Sequence, residues 1–354
     1  MKLLKIIASI IYGTAVAIRN KLYDVKILSS KEINNVFTIV LGNITVGGTG
    51  KTPHSEFMLN VLKKEFKIAL LSRGYKRKTK KFKYVETTST VSEVGDEPLQ
   101  IKRKFPDITV AVDADRIRGI KKIKEKYPDV EIIILDDAFQ HRRLKSALSI
   151  LLCDYWRPMY TDKMLPWGTL RDSRRQKYRA NIIFVTKCPQ NLTPIDLRII
   201  NSDLKLLPYQ HLFFTTFEYD DLKPFFDNNK PAQTNKISAL AGIANPCLFE
   251  EYVSQKYAKP QMLVFPDHHN FSKTDMKNIC KTIDNSELFI TTEKDAMRLY
   301  NYKKFTQQQK EKMFYLPVKV RFLNNNDENK LTNYIVDCIT KYRHYMILQS
   351  DKSI

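Results

Sequence analysis

Residues 42–53 read Gly-Asn-Ile-Thr-Val-Gly-Gly-Thr-Gly-Lys-Thr-Pro, and no other segment restricts the fold as tightly. A short apolar run, VFTIVL at 36–41, precedes them, and a helical pattern over 53–64 follows. A buried strand entering a glycine-rich turn and then a helix is the layout of a phosphate-binding loop. Small residues let successive backbone N–H groups curl around phosphate oxygens, and the helix N-terminus adds a partial positive charge. The pattern G-x-x-x-x-G-K-[ST] is departed from at its first position, where Thr45 stands; glycines at 47, 48 and 50 compensate. On this reading Thr45, Val46, Gly47, Gly48, Thr49, Gly50, Lys51 and Thr52 cradle a nucleotide's phosphates. Lys51 reaches the β- and γ-phosphates, and the Thr52 hydroxyl ligates Mg²⁺.

The remainder of the chain supports such a loop. Further short apolar runs at 67–72, 108–112, 131–135, 147–153 and 181–186 suit a parallel sheet covered on both faces. Helical patterns fall between several of them, which predicts a doubly wound α/β fold of the P-loop NTPase kind. Pro and Asn gather over 189–235, and the alternation restarts at Lys236 with strands expected at 237–242, 261–265, 288–292 and 314–320 and a last helix near 330–342. We therefore expect a membrane-associated helix at 1–26, a P-loop core over 27–219 and a smaller α/β domain over 220–354.

A P-loop needs an acid at the end of a neighbouring strand. Glu131-Ile-Ile-Ile-Leu-Asp136-Asp137 supplies two, as metal-orienting carboxylates. Gly95-Asp96-Glu97-Pro98 places two more in a tight turn, where Asp96 could take a proton from an attacking hydroxyl or Glu97 could be an ordinary first-turn acid. Pro266-Asp267-His268-His269 follows a strand, where a histidine can orient a carboxylate or simply face solvent. Arg73, Arg116 and Arg171 are candidates to grip an anionic substrate, and 76–83 holds six basic residues in eight. These motifs predict NTP·Mg²⁺ binding without choosing among kinase, ATPase and GTPase.

Lys and Arg number 59 against 38 acids, a net charge of +21, which predicts polyanionic partners. No helix-turn-helix, zinc finger or aromatic RNA platform is legible, so nucleic acid is not expected. Five cysteines without C-x-x-C spacing argue against a disulfide framework. Residues 6–18 carry no charge, thirteen residues against the ~20 a helix needs to cross a bilayer. Flanked by Lys2, Lys5, Arg19 and Lys21, this segment is expected to lie in the interface of an anionic membrane rather than span it.

An ordered series of motifs resembles the tetraacyldisaccharide 4′-kinase family: GNITVGGTGKTP (42–53), LSRGYKR (71–77), VGDEP (94–98), DADRIRG (113–119), ILDDAFQHRRL (134–144), LPWGTLRDS (165–173), FPDHHNF (265–271) and TTEKDA (291–296). Ala138 stands where the family more often carries Gly. The resemblance implies transfer of the ATP γ-phosphoryl to the 4′-hydroxyl of an acylated glucosamine disaccharide 1-phosphate at the cytoplasmic face of the inner membrane, in lipid A biosynthesis. It implies Asp96 as base with His268 as its partner, and Lys51 on the phosphates. It also implies Mg²⁺ near Thr52, Asp136, Asp137 and Glu97. Arg73, Tyr75, Arg116, His141 and Arg171 would meet the headgroup or the transferring phosphate, with no obligate protein partner. The alternative is a membrane-associated P-loop NTPase with a regulatory or transport-coupling role.

Overall fold

The computed structural model describes residues 2–226, 230–243, 245–267, 269–300 and 302–351. Helix α1 (Lys2–Asp24) precedes β1 (Phe37–Gly42), α2 (Lys51–Leu62), β2 (Ile68–Ser72), β3 (Lys83–Tyr84), α3 (Val91–Val94) and α4 (Asp96–Lys104). Then come β4 (Thr109–Val112), α5 (Arg116–Lys126), β5 (Ile132–Asp136), β6 (Leu148–Asp154), β7 (Ile182–Thr186), α6 (Pro194–Leu204) and β8 (His211–Tyr219). A smaller unit holds β9 (Lys223–Pro224), β10 (Ile237–Ala241), α7 (Cys247–Lys256), β11 (Gln261–Val264), α8 (Lys273–Asn285), β12 (Leu288–Thr292), α9 (Glu293–Leu299), α10 (Gln307–Glu311) and β13 (Met313–Leu316). The described chain closes with β14 (Val318–Phe322) and α11 (Asp327–Asp351).

The larger sheet runs β14-β8-β7-β6-β1-β5-β2-β4-β3, with a parallel centre and antiparallel strands at both edges. Strand β1 is buried along its whole length. Phe37, Ile39 and Leu41 face one core, which includes Met58 and Leu59 of α2 and Leu331 and Ile335 of α11. Val40 faces a second core, with Ile120 and Ile123 of α5. Burial on both faces is why these strands read as unbroken apolar runs. Parallel pairing of β1 with β5 sets Leu41 opposite Asp136, so the acids emerge beside the glycine-rich loop.

Two expectations need correction. Residues 314–320 are not one strand. Pro317 lacks a backbone N–H and interrupts the ladder, so β13 stays in the five-stranded sheet β11-β10-β12-β13-β9 while β14 pairs with β8 in the larger one. A second domain running from 220 to the C-terminus therefore does not match the pairing. The chain leaves after β8 and returns through Pro317, and β14 and α11 belong with the first core. The two crossings lie side by side, Asp220 N–H donating to Pro317 O at 3.0 Å.

Helix α1 is also longer than its uncharged stretch. At 23 residues it is long and apolar enough to cross a bilayer, so the length argument against a span fails. Polar bonds along its length instead hold it to the body. Ser9 Oγ donates to Met164 O (2.8 Å), Tyr12 Oη to Arg171 O (2.9 Å) and Asn20 Nδ2 to the buried Asp172 (2.7 Å). Leu3, Leu4, Ile7, Ile10, Ile11 and Ile18 remain exposed.

Candidate active site

The loop after β1 is held in a fixed curve by polar bonds along its length. Gly50 ends it at φ 83°, and a Cβ there would stand 2.4 Å from the Phe217 ring, so both the left-handed backbone and the packing require glycine. Asn43 Nδ2 donates to Thr49 Oγ1 at 2.8 Å, Thr186 Oγ1 to Thr49 O at 3.0 Å, and Lys187 Nζ to Gly48 O. Val46 N–H is tied to Thr169 O at 2.7 Å. Buried His54, one turn into α2, bonds Gly50 O at 2.8 Å and Thr215 Oγ1 at 3.0 Å. Burial pushes its imidazole down to about 4.

The two acids after β5 are held differently. Asp136 is buried and accepts from Ser55 Oγ (3.1 Å) and Ser72 Oγ (3.3 Å). Burial, followed by the Glu97 and Asp137 charges, pushes its carboxyl upward. Asp137, at φ 46°, lies 3.9 Å from Lys51 Nζ and is bridged by Arg171. Burial opposes its ionisation, but Lys51 and Arg171 hold it below the usual carboxylate range. A turn that gathers negative charge beside Lys51 and Thr52 suits a hard cation bound through oxygen. Among the described residues no group of three or more histidines, cysteines or acids is placed to hold a metal ion on its own.

A cavity of about 220 Å³ opens from this loop into the cleft between the two sheets. Gly48, Gly50, Lys51 and Thr52 line its polar end, with Glu97, Lys187, Asp267 and Lys294. Phe217, Tyr219, Ile243, Leu248, Leu316 and Val318 form an apolar end against the crossing strands. A second cavity, about 580 Å³, is lined by Tyr75, Lys76, Lys78, Ser92, Asp96, His269, Phe271 and Arg298. Asp96 and Glu97 open α4, one carboxylate facing each cavity. Asp96 Oδ1 accepts from Glu97 N–H at 3.0 Å, and its Oδ2 accepts from Arg298 Nη2 at 2.9 Å. Glu97 is 3.4 Å from Lys294, which also reaches Asp267 at 3.1 Å.

The loop, the paired acids and Asp96–Glu97 thus converge, and Arg171 joins them on Asp137, whereas Arg116 offers no free charge. Arg116 is 2% exposed and donates to Asp113 O (2.7 Å) and Asp136 O (3.0 Å), so it shapes the Asp136–Asp137 turn instead of offering a surface charge. Burial lowers its guanidinium to about 10. Arg171 is engaged by Asp137 and by Asn43 O at 3.2 Å. Arg73 and Tyr75 are exposed, Tyr75 at the rim of the larger cavity. His141 is half-buried with Nε2 lacking a hydrogen-bond partner, and burial, then the Arg116 charge, holds its imidazole low. His268 lies outside the described residues; its neighbours Asp267 and His269 line the smaller and the larger cavity.

Sequence reasoning gave no role to Asn43, Lys187, Lys294 or Arg298. Their only signals were position after a strand end or within TTEKDA and just beyond it. A buried cluster was missed as well. Lys104 Nζ sits 2.6 Å from Glu56 and 3.1 Å from Glu293, joining α2, α4 and α9. Burial and the Glu293 charge push the Glu56 carboxyl up. Removing the lysine would break the ion pairs of both acids, at ~3–5 kcal/mol.

Comparison with known proteins identifies relatives of the whole chain. The family model described as tetraacyldisaccharide-1-P 4′-kinase matches residues 1–339. The tetraacyldisaccharide 4′-kinase of Phocaeicola vulgatus is 42% identical over 340 residues, covering 92% of this chain and 93% of that protein. That of Bacteroides fragilis is 45% identical over 336 residues, covering 91% and 89%. The crystal structure of Aquifex aeolicus LpxK in complex with ATP superposes with a TM-score of 0.73 at 28% identity, covering 94% of this chain and 98% of that one.

Proposed function

Because the chain belongs to the tetraacyldisaccharide-1-P 4′-kinase family, we propose that its cleft moves the γ-phosphoryl group of ATP onto the 4′-hydroxyl of a tetraacylated glucosamine disaccharide 1-phosphate. The division of Asp96 and Glu97 between the two cavities carries this reading. A nucleotide places its phosphates on residues 45–52 and its base against Phe217, Tyr219 and Leu248. The sugar headgroup enters the larger cavity past Tyr75 and Lys76. There the Asp96 carboxylate takes the proton of the 4′-hydroxyl as its oxygen bonds to the γ-phosphorus. The bond from that phosphorus to the β,γ-bridging oxygen breaks, and ADP leaves.

Phosphoryl transfer needs positioning and charge stabilisation more than covalent help from the protein. Lys51 and the loop N–H groups stabilise the phosphates. Thr52, Asp136, Asp137 and Glu97 are hard oxygen donors that would hold Mg²⁺, which neutralises charge on the β- and γ-oxygens when bound. Lys294 holds Glu97 from the second domain, and His268 would support Asp96. Helix α1 would lay its exposed leucines and isoleucines into the cytoplasmic leaflet of the inner membrane, so that acyl chains stay in the bilayer while the headgroup is taken up.

The test is incubation with ATP and the tetraacylated disaccharide 1-phosphate in detergent micelles, read by product mass. Gain of one phosphate, located on the 4′-oxygen, is expected. ATP hydrolysis without any phosphorylated lipid would instead favour an NTPase coupled to another process.

A further inference from the structure

Helix α9 of the smaller unit lies against α4 of the larger one, and opposite charges pair across the contact. At the N-terminal end of α4, Asp96 meets Arg298 and Glu97 meets Lys294. At its C-terminal end, Lys104 meets Glu293. Between them the Arg103 guanidinium lies 4.0 Å over the Tyr300 ring and 3.6 Å from Met297 Sδ. One short helix thus supplies the counter-charge for both carboxylates that divide the two cavities.

Arg298 is held on several sides, its side chain only 6% exposed. Nη1 donates to Asp295 Oδ1 at 2.7 Å and to Gly242 O at 3.1 Å. Asp295 is itself held by Thr292 Oγ1 and by Gly242 N–H, both at 2.7 Å. The guanidinium is therefore fixed within its own domain before it meets α4. Its remaining nitrogens, Nε and Nη2, both donate to Asp96 Oδ2, at 3.2 and 2.9 Å. The Glu97 N–H holds the other oxygen, so the carboxylate is gripped from both domains at once. A fork held on one side and donating twice on the other sets an orientation that a point charge cannot.

We infer that Arg298 is a positioning residue, which orients the Asp96 carboxylate toward the acceptor from the second domain, so that the base is aligned only when α9 is docked on α4. The inference rests on Asp96 being the base. It gives domain docking a role beyond closing the nucleotide cavity: the docking helix also completes the proton acceptor.

Steady-state kinetics on the full chain, varying ATP and lipid separately, test it against thermal unfolding of the same variants. Arg298→Ala is expected to lower kcat roughly 10²-fold with KM for ATP within about threefold, and Arg298→Lys to recover part of that loss. Arg103→Ala weakens the same helix contact without touching Asp96. It should lower thermal stability while leaving kcat within about threefold. The inference is overturned if Arg298→Ala keeps wild-type kcat, or if Arg103→Ala reproduces the kcat loss at an equal loss of stability. Asp96→Asn separates this from the underlying reading. If that variant is inactive while Arg298→Ala is active, only the positioning role fails. If Asp96→Asn turns over normally, the base assignment itself fails.

Discussion

The glycine-rich loop and the larger cavity beside Asp96 are constructed in contrasting ways. The phosphate end is local: its loop, its acids and most of its supports lie at the ends of β1, β5 and β7 within one sheet. The larger cavity, the proposed acceptor end, is composite. Asp96 comes from α4, but Arg298, His269 and Phe271 come from the other unit, and the chain crosses between them only after β8 and at Pro317. A local site persists whenever its sheet folds, whereas a composite one also needs the two units docked. The contrast separates the expected variants by which kinetic constant they move.

The largest effect falls on the composite side. Asp96→Asn should reduce kcat by roughly 10²–10⁴-fold, the usual worth of a positioned general base, with nucleotide binding measured by calorimetry intact. Loss of binding instead would mean that the carboxylate belongs to the nucleotide cavity and the division between cavities is wrong. On the local side, Lys51→Ala should cost roughly 10²–10³-fold in kcat/KM for ATP, because it removes a charge aimed at the phosphates. If the loss appears in the lipid KM, the phosphate end has been misplaced.

His54 ties the loop to β8, and its ionisation sharpens the same comparison. The unfolded imidazole binds its proton near 6.5 and the folded one near 4. Between those values the unfolded chain holds more protons, so stability is full above pH 6.5 and falls as the pH drops toward 4, by about 3 kcal/mol from this residue. Urea unfolding at pH 7 and pH 5 should show less of this loss in His54→Gln than in the wild type. An unchanged pH slope in the variant would remove His54 from the account. The smallest effect is expected from Leu248→Asp at the apolar end of the nucleotide cavity, which should raise KM for ATP about tenfold and leave kcat unaltered. A fall in kcat alone would show that the nucleotide base lies elsewhere.

Legibility in the sequence follows the same division. Residues 42–53 and 131–137 announced strand, loop and acids because a phosphate cradle is made of consecutive backbone and a strand end of consecutive side chains. The expected strand at 288–292 is observed with the same bounds. Arg116 misled, because a charged residue after a strand looks alike whether it faces a ligand or holds a neighbour's carbonyl. Within 314–320 the apolar pattern concealed a change of sheet, since alternation records burial but not which core provides it.

The order of the secondary elements, the glycine-rich loop and the acids at the end of β5 were written in local sequence, where consecutive residues set the geometry. Folding in three dimensions decided where the chain returns to its first sheet, which arginines are spent on carbonyls, and that a guanidinium 202 positions away grips Asp96. Hydrogen bonding and burial act through space at a few ångströms, and a linear order of residues carries no record of which distant groups will be brought that close.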